Sequence, residues 1–366
     1  MPDPPSFRLG YGERLVEPVS IETGGGPKAY PYTFDEAKAR VAPLAAKTSR
    51  ALDKLPAAAC PRDEAVGIIT LHPQWLAKSY HPAALLREVG LETVGSRPTA
   101  IKPERWTRKA KVTEAPSTEL FVAGPRSAFR TWASELPNWS QPARALRQDL
   151  SKVEALRAPS KSDRVQRLRS GADELVLEVG LHTARGDQGQ YILEAFHDYV
   201  DSLGMEPVEA KRIFAGRICF MPVRGTAMQV DELWKFAYLR VVREMPKLRR
   251  LESVLRKVVV PAPGPASLPD SDPVDPGLRV AILDGGTPKK AGLERWVTPY
   301  DAKGVGPSVE GYLEHGACVN SATLFGPLND GVAERPYAAV DHFRVLDEDS
   351  GGDDELYDVM HRVRDV

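Results

Sequence analysis

The chain has 366 residues and a formal net charge of -1, with 42% hydrophobic and 27% charged residues. That length suits roughly two or three domains with cores of their own, and the balance excludes wholesale disorder or a general attraction to nucleic acid or anionic lipid. Three scattered cysteines, Cys60, Cys219 and Cys318, form neither a disulfide framework nor a paired zinc motif; with no basic-then-apolar leader and no apolar run of bilayer length, a cytoplasmic protein off the membrane is expected.

Residues 1–60 read as an N-terminal extension. Over 61–165 the pattern predicts an α+β accessory domain. Its strands are Glu64–Leu71, Leu91–Thr99 and Glu119–Ala123, and its helices run from Ala83 to Val89, closed by Gly90, and from Ser127 to Leu136. Basic residues outnumber acidic ones between Lys102 and Arg169, but aromatics do not interleave with them as a base-stacking platform needs, so no nucleic-acid partner is expected.

Residues 166–260 predict a second α+β domain. Glu174–Leu181 is a strand, and Gln190–Leu203 is a helix with Ile192, Ala195, Phe196, Tyr199, Val200 and Leu203 on one face. An apolar stretch Arg217–Val223, a helix Val230–Leu239 and a strand Leu239–Met245 follow. That order is the split βαβ pattern of a ferredoxin-like domain, and 61–165 reads as a degenerate copy of it. Pro261–Pro276 is dense in proline, which removes backbone donors and keeps a chain extended, so it reads as a linker.

After it, Leu278-Arg-Val-Ala-Ile-Leu-Asp284-Gly-Gly286 predicts a strand buried on both faces of a parallel sheet, with Asp284 at its carboxyl end, where α/β proteins gather reactive groups. Glu314-His315-Gly-Ala-Cys-Val predicts a helix opened by His315, whose small residues Gly316, Ala317 and Ala322 permit close approach to the sheet. Tyr337–Asp347 predicts the next parallel strand, completing a right-handed βαβ unit. The fold class expected for 277–366 is thus α/β, a doubly wound parallel sheet left incomplete.

These three segments resemble the subtilisin-like serine proteases. In that family a buried strand ends in the triad Asp followed by Gly, the triad His begins a helix in a His-Gly-x-x-Val context, and the next strand reads much like Phe343-Arg-Val-Leu-Asp347. The resemblance implies a serine endopeptidase acting on protein or peptide substrates without a cofactor. His315 would be general base and then general acid, and Asp284 would fix its tautomer. It also implies that Gly351 and Gly352 line the substrate cleft by extended pairing, with Asp347, Glu348 and Asp349 favouring basic substrates. Asp353, Asp354 and Glu355 are assigned to capping the following helix.

The departures matter equally. No Gly-Thr-Ser-Met nucleophile motif or oxyanion Asn follows His315 before Val366, so this chain alone is expected to be inactive; Arg224-Gly-Thr-Ala-Met228 precedes Asp284 and carries Ala227 at the serine position. Cys318 is not nominated as a nucleophile. Two readings stand: a truncated protease, or a regulatory or binding protein derived from a decayed one. The ferredoxin-like region resembles subtilase propeptides, while the long extension resembles bacterial subtilases encoded beside an AAA-type ATPase in plasmid maintenance or phage defence. The chain has no Walker motif of its own. No calcium loop is expected, since Asp347–Glu355 lacks EF-hand spacing.

Overall fold

The computed structural model describes residues 30–76, 80–106, 112–140, 142–166, 168, 174–183, 186–248, 267–326, 332–352 and 355–366. They form a mixed α/β protein with three sheets. Helix α1 (Phe34–Asp53) begins at a capping box in which Thr33 accepts from Glu36 N–H and the Glu36 carboxylate accepts from Thr33 N–H at 2.8 Å. The sequence reading set this stretch apart as extension, yet Ala37, Val41, Ala45 and Leu52 join the first core.

That core lies under β1 (Glu64–Leu71), β2 (Glu92–Ile101), β3 (Ala115–Pro125) and β4 (Val153–Arg157), together with α2 (Ala83–Glu88), α3 (Arg126–Glu135) and α4 (Arg144–Leu150). The strands order as β2-β3-β1-β4 with every neighbour antiparallel. One face of β1, through Ala65 and Ile69, packs on the helices; the other, through Val66 and Ile68, packs on the second unit. Period-two alternation sends successive side chains to opposite faces, and both faces here find apolar cover.

The second unit comprises α5 (Lys161–Arg164), β5 (Val165–Gln166), β6 (Leu175–His182), α6 (Asp187–Ser202), β7 (Glu206–Pro207), β8 (Ile213–Ala215), β9 (Ile218–Gly225), α7 (Val230–Leu233) and β10 (Leu239–Glu244). Its path β10-β6-β9-β7 repeats the β4-β1-β3-β2 order of the first unit. Helix α7 stops at Leu233 rather than reaching Leu239, because buried Arg164 binds the carbonyls of Trp234, Phe236 and Ala237 in a non-helical turn. The two units are tied at their seam by Tyr191 and Tyr238, whose hydroxyls both donate to Glu64 Oε2 at 2.5 Å.

The third unit contains β11 (Arg279–Asp284), β12 (Val297–Asp301), α8 (Glu310–Phe325), β13 (Ala339–Arg344) and α9 (Glu355–Asp365). Its strands are parallel in the order β11-β13-β12. Three expectations are corrected here. Strand β12 intervenes between Asp284 and the His315 helix. Strand β11 is not buried on both faces: Val280 is 37% and Leu283 46% exposed, since β13 is its one strand neighbour among the described residues. The described part of the expected linker, 267–276, is no free tether: Ser267 bridges Val332, Trp296 Nε1–H donates to Ser271 O at 2.9 Å, and Arg335 holds the carbonyls of Asp272 and Pro273. Residues 261–266 of that linker lie outside the described residues.

Helix α9 reaches across to the second unit. Tyr357 is buried and donates to Glu178 Oε1 at 3.1 Å, and Lys211 pairs with Asp358 at 2.7 Å. Glu178 also receives Arg243. The Tyr357 hydroxyl is pushed above its ordinary range by burial and by the Glu178 charge.

Candidate active site

Asp284 is the last residue of β11. Its carbonyl accepts Val345 N–H at 2.8 Å beyond the end of β13, which pins the strand ends together. The carboxylate turns back: Oδ1 accepts Gly285 N–H at 2.8 Å, which leaves Oδ2 for His315. His315 Nδ1–H donates to Asp284 Oδ2 at 2.8 Å. The two residues nominated from sequence thus meet in a hydrogen-bonded dyad. With Nδ1 holding the proton, Nε2 is the basic nitrogen, and the imidazole is 44% exposed while the carboxylate is 13% exposed. A sheltered acceptor behind a solvent-facing imidazole is the geometry that general base chemistry needs.

His315 does not open its helix. Helix α8 starts at Glu310, whose carboxylate suits a helix N-terminus, and places His315 on the second turn. The approach is made by glycines. A side chain at Gly285 would run into Tyr312, with its Cβ 2.8 Å from Tyr312 Cγ, and Gly286 holds a φ of +104° beside Leu313 and Arg344. Gly316 faces the sheet, where a Cβ would overlap the Gly286 carbonyl and lie 2.9 Å from His342 Cε1. The Asp-Gly-Gly and His-Gly sequences therefore have one cause: strand end and helix touch backbone to backbone.

Behind the dyad sits a pair that sequence reasoning missed. His342, in the middle of β13 and fully buried, bonds through Nδ1 to Asn320 Oδ1 of α8 at 2.9 Å. Burial holds His342 below the usual imidazole range. The other polar atoms, His342 Nε2 and Asn320 Nδ2, are buried without a partner. The available signal was the spacing Gly316, Asn320, Leu324, an i, i+4, i+8 stripe that turns out to be the buried face of α8.

The glycines nominated for substrate binding lie elsewhere in form. Residues 348–351 are a turn rather than extended chain, and Gly352 N–H donates to Asp349 O at 2.8 Å. Asp347 does not present a charge to a cleft. It is 2% exposed, accepts from Gly306 N–H and Ser350 Oγ, each at 2.8 Å, and pairs with Arg362 at 2.8 Å. Burial by itself would raise this carboxyl, but those hydrogen bonds and the Arg362 charge hold it below the usual carboxylate range. Glu348 and Asp349 are exposed. Asp353 and Asp354 lie outside the described residues, and Glu355 is the first residue of α9. Cys318 is exposed, one turn beyond His315. Among the described residues no three His, Cys, Asp or Glu side chains gather to hold a metal, and no helix is long and apolar enough to cross a membrane.

No family model matches the chain, and no curated protein matches it. A solved structure described as an unknown protein from Galdieria sulphuraria is similar over 47% of this chain and 88% of that one, at 13% identity and a TM-score of 0.17. Similarity at that level carries no argument about fold or function.

Proposed function

We propose that this chain supplies the acid–base half of a subtilisin-like serine endopeptidase. The observation that carries the reading is the 2.8 Å Asp284–His315 hydrogen bond at the carboxyl end of a parallel strand. In the reaction His315 Nε2 takes the proton of a serine hydroxyl as that oxygen attacks a peptide carbonyl, then delivers it to the leaving amine. Asp284 keeps the proton on Nδ1 and stabilises the imidazolium. Asp before His before Ser is the chain order of the subtilisin-type triad. This reading requires a serine nucleophile and oxyanion donors in addition to the two residues described.

The unpaired strand edge supports this reading. Apolar Val280, Leu283 and Tyr300 face outward on β11 and β12, and one edge of β11 has no strand partner among the described residues. On this reading that edge receives the next parallel strand of a doubly wound sheet, which needs both faces covered. The two βαββαβ units are accessory ferredoxin-like domains, the second with the topology of a subtilase propeptide. The substrate is a protein or peptide, and the partnership with an AAA-type ATPase belongs to the same proposal.

The test is to read the coding sequence past the Val366 codon and express the longer chain. A Gly-Thr-Ser-Met segment and peptide hydrolysis abolished by His315→Ala are expected. In that chain Asp284→Asn lowers kcat by about ten-thousand-fold while leaving the fold intact. A stop directly after Val366, or hydrolysis that survives His315→Ala, overturns the reading.

A further inference from the structure

Core positions hold polar atoms only when something is gained, because an unsatisfied buried donor or acceptor costs roughly 1–3 kcal/mol. The Asn320–His342 pair leaves one of each, Asn320 Nδ2 and His342 Nε2, at two residues with no exposed surface. Two leucines would fill such a space without that cost. The pair is therefore poor as packing, and its placement says what it does instead.

Asn320 and Gly316 stand one turn apart on the sheet-facing stripe of α8, and His342 lies on β13 directly beside Ile282 of β11. The imidazole touches both helix positions: Nδ1 bonds Asn320, and Cε1 abuts the Cα side of Gly316. Apolar contact is non-directional and lets a helix slide or turn on a sheet. A hydrogen bond at one turn and a ring edge at the turn before it allow a single register. His315 is the residue next to Gly316, and Asp284 is two residues beyond Ile282 on the strand flanking His342. The pair thus spans the two elements that the dyad joins.

We propose that Asn320 and His342 are positioning residues, which set the register of α8 on the β11–β13 pair and so hold His315 Nδ1 within hydrogen-bond reach of Asp284. This rests on the dyad being the reactive centre. It adds a second hydrogen bond across the same helix–sheet interface, from the buried side. Neither residue touches the reacting atoms.

The test follows the His315 Nδ1 proton by NMR in the full chain with 15N-labelled histidine, with folding checked by circular dichroism. In the wild type this proton is hydrogen-bonded to Asp284 and is expected to exchange slowly, and Asp284→Asn is expected to release it. No change in that control defeats the dyad itself, whatever the pair does. Asn320→Ala is expected to speed exchange about tenfold, as loss of one hydrogen bond's worth of restraint implies. The decisive variant is Asn320→Leu/His342→Leu, which removes both partners together and so keeps or raises stability. It is expected to fold and still show the fast-exchanging proton, whereas His342→Asn with Asn320 intact, which keeps a donor near the Nδ1 position, is expected to keep exchange slow. A folded double-leucine variant with the wild-type His315 signal overturns the proposal.

Discussion

Gly316→Ala sets helix propensity against tertiary packing at one atom. Alanine is favoured over glycine inside a helix by about 0.8–1 kcal/mol, so the substitution ought to stabilise α8. At Gly311, earlier in the same helix, nothing lies within 4 Å of an added Cβ, and Gly311→Ala is expected to raise stability by about 0.5–1 kcal/mol. At Gly316 the methyl would overlap the Gly286 oxygen and lie 3.0 Å from its carbonyl carbon and 2.9 Å from His342 Cε1. Neither neighbour can give: one is backbone held between Asp284 and α8, the other a buried ring tied to Asn320. The helix must lift instead. Overpacking of this kind costs about 1–3 kcal/mol in ordinary cores, and backbone overlap puts the expected cost at the upper end. After the propensity gain, a net loss of about 2 kcal/mol remains. Urea denaturation of both variants, read as midpoints at constant slope, measures the difference. Equal gains at Gly311 and Gly316 would refute the claim that α8 rests backbone to backbone on the strand end.

Two further outcomes are expected. His182 is buried beside Arg240 and Arg164; burial first, then those charges, push it down to about 3, and His72 and His342 are lowered as well. A lowered imidazole leaves the unfolded chain binding more protons, so stability is full above about pH 6.5 and falls as pH drops toward the folded value. For His182 that is about 2 kcal/mol between pH 7.5 and 5, and a flat urea midpoint across this window would contradict it. Asp347→Asn is expected to destabilise by about 3 kcal/mol, because it leaves Arg362 without its buried partner; thermal melts matching wild type would return Asp347 to the cleft.

How far the sequence reaches depends on whether a position is settled locally. Asp284 and His315 were singled out through the resemblance to subtilisin-like proteases, since a strand end followed by glycines or a His near a helix start is by itself a weak signal; the structure brings the two within hydrogen-bond distance. Strand β12 carried none: Val297-Thr-Pro-Tyr-Asp holds a proline, and four of its five residues are exposed, as an edge strand allows. Helix α7 was overextended because Trp234 to Leu239 is apolar apart from Lys235; its turn is imposed by Arg164, far away in the chain. Asp347 looked like a cleft residue because the partners that bury it, Gly306 and Arg362, approach from opposite directions along the sequence. The strand order common to the two α+β units is plain in the sheets, whereas no residue-level repeat announced it.

Helix α9 has two attachments. At one end of its contacts Arg362 holds Asp347 and the Val345 carbonyl, next to the strand that flanks Asp284; elsewhere Tyr357 and Asp358 hold Glu178 and Lys211 of the second unit. A helix held on both sides couples them. A molecule that binds near the strand ends and prefers one placement of α9 changes the affinity only of a ligand at the Lys211 surface that also distinguishes those placements, and then by the same factor in both directions. Through these contacts the second unit is mechanically tied to the strand ends beside Asp284 by a single helix.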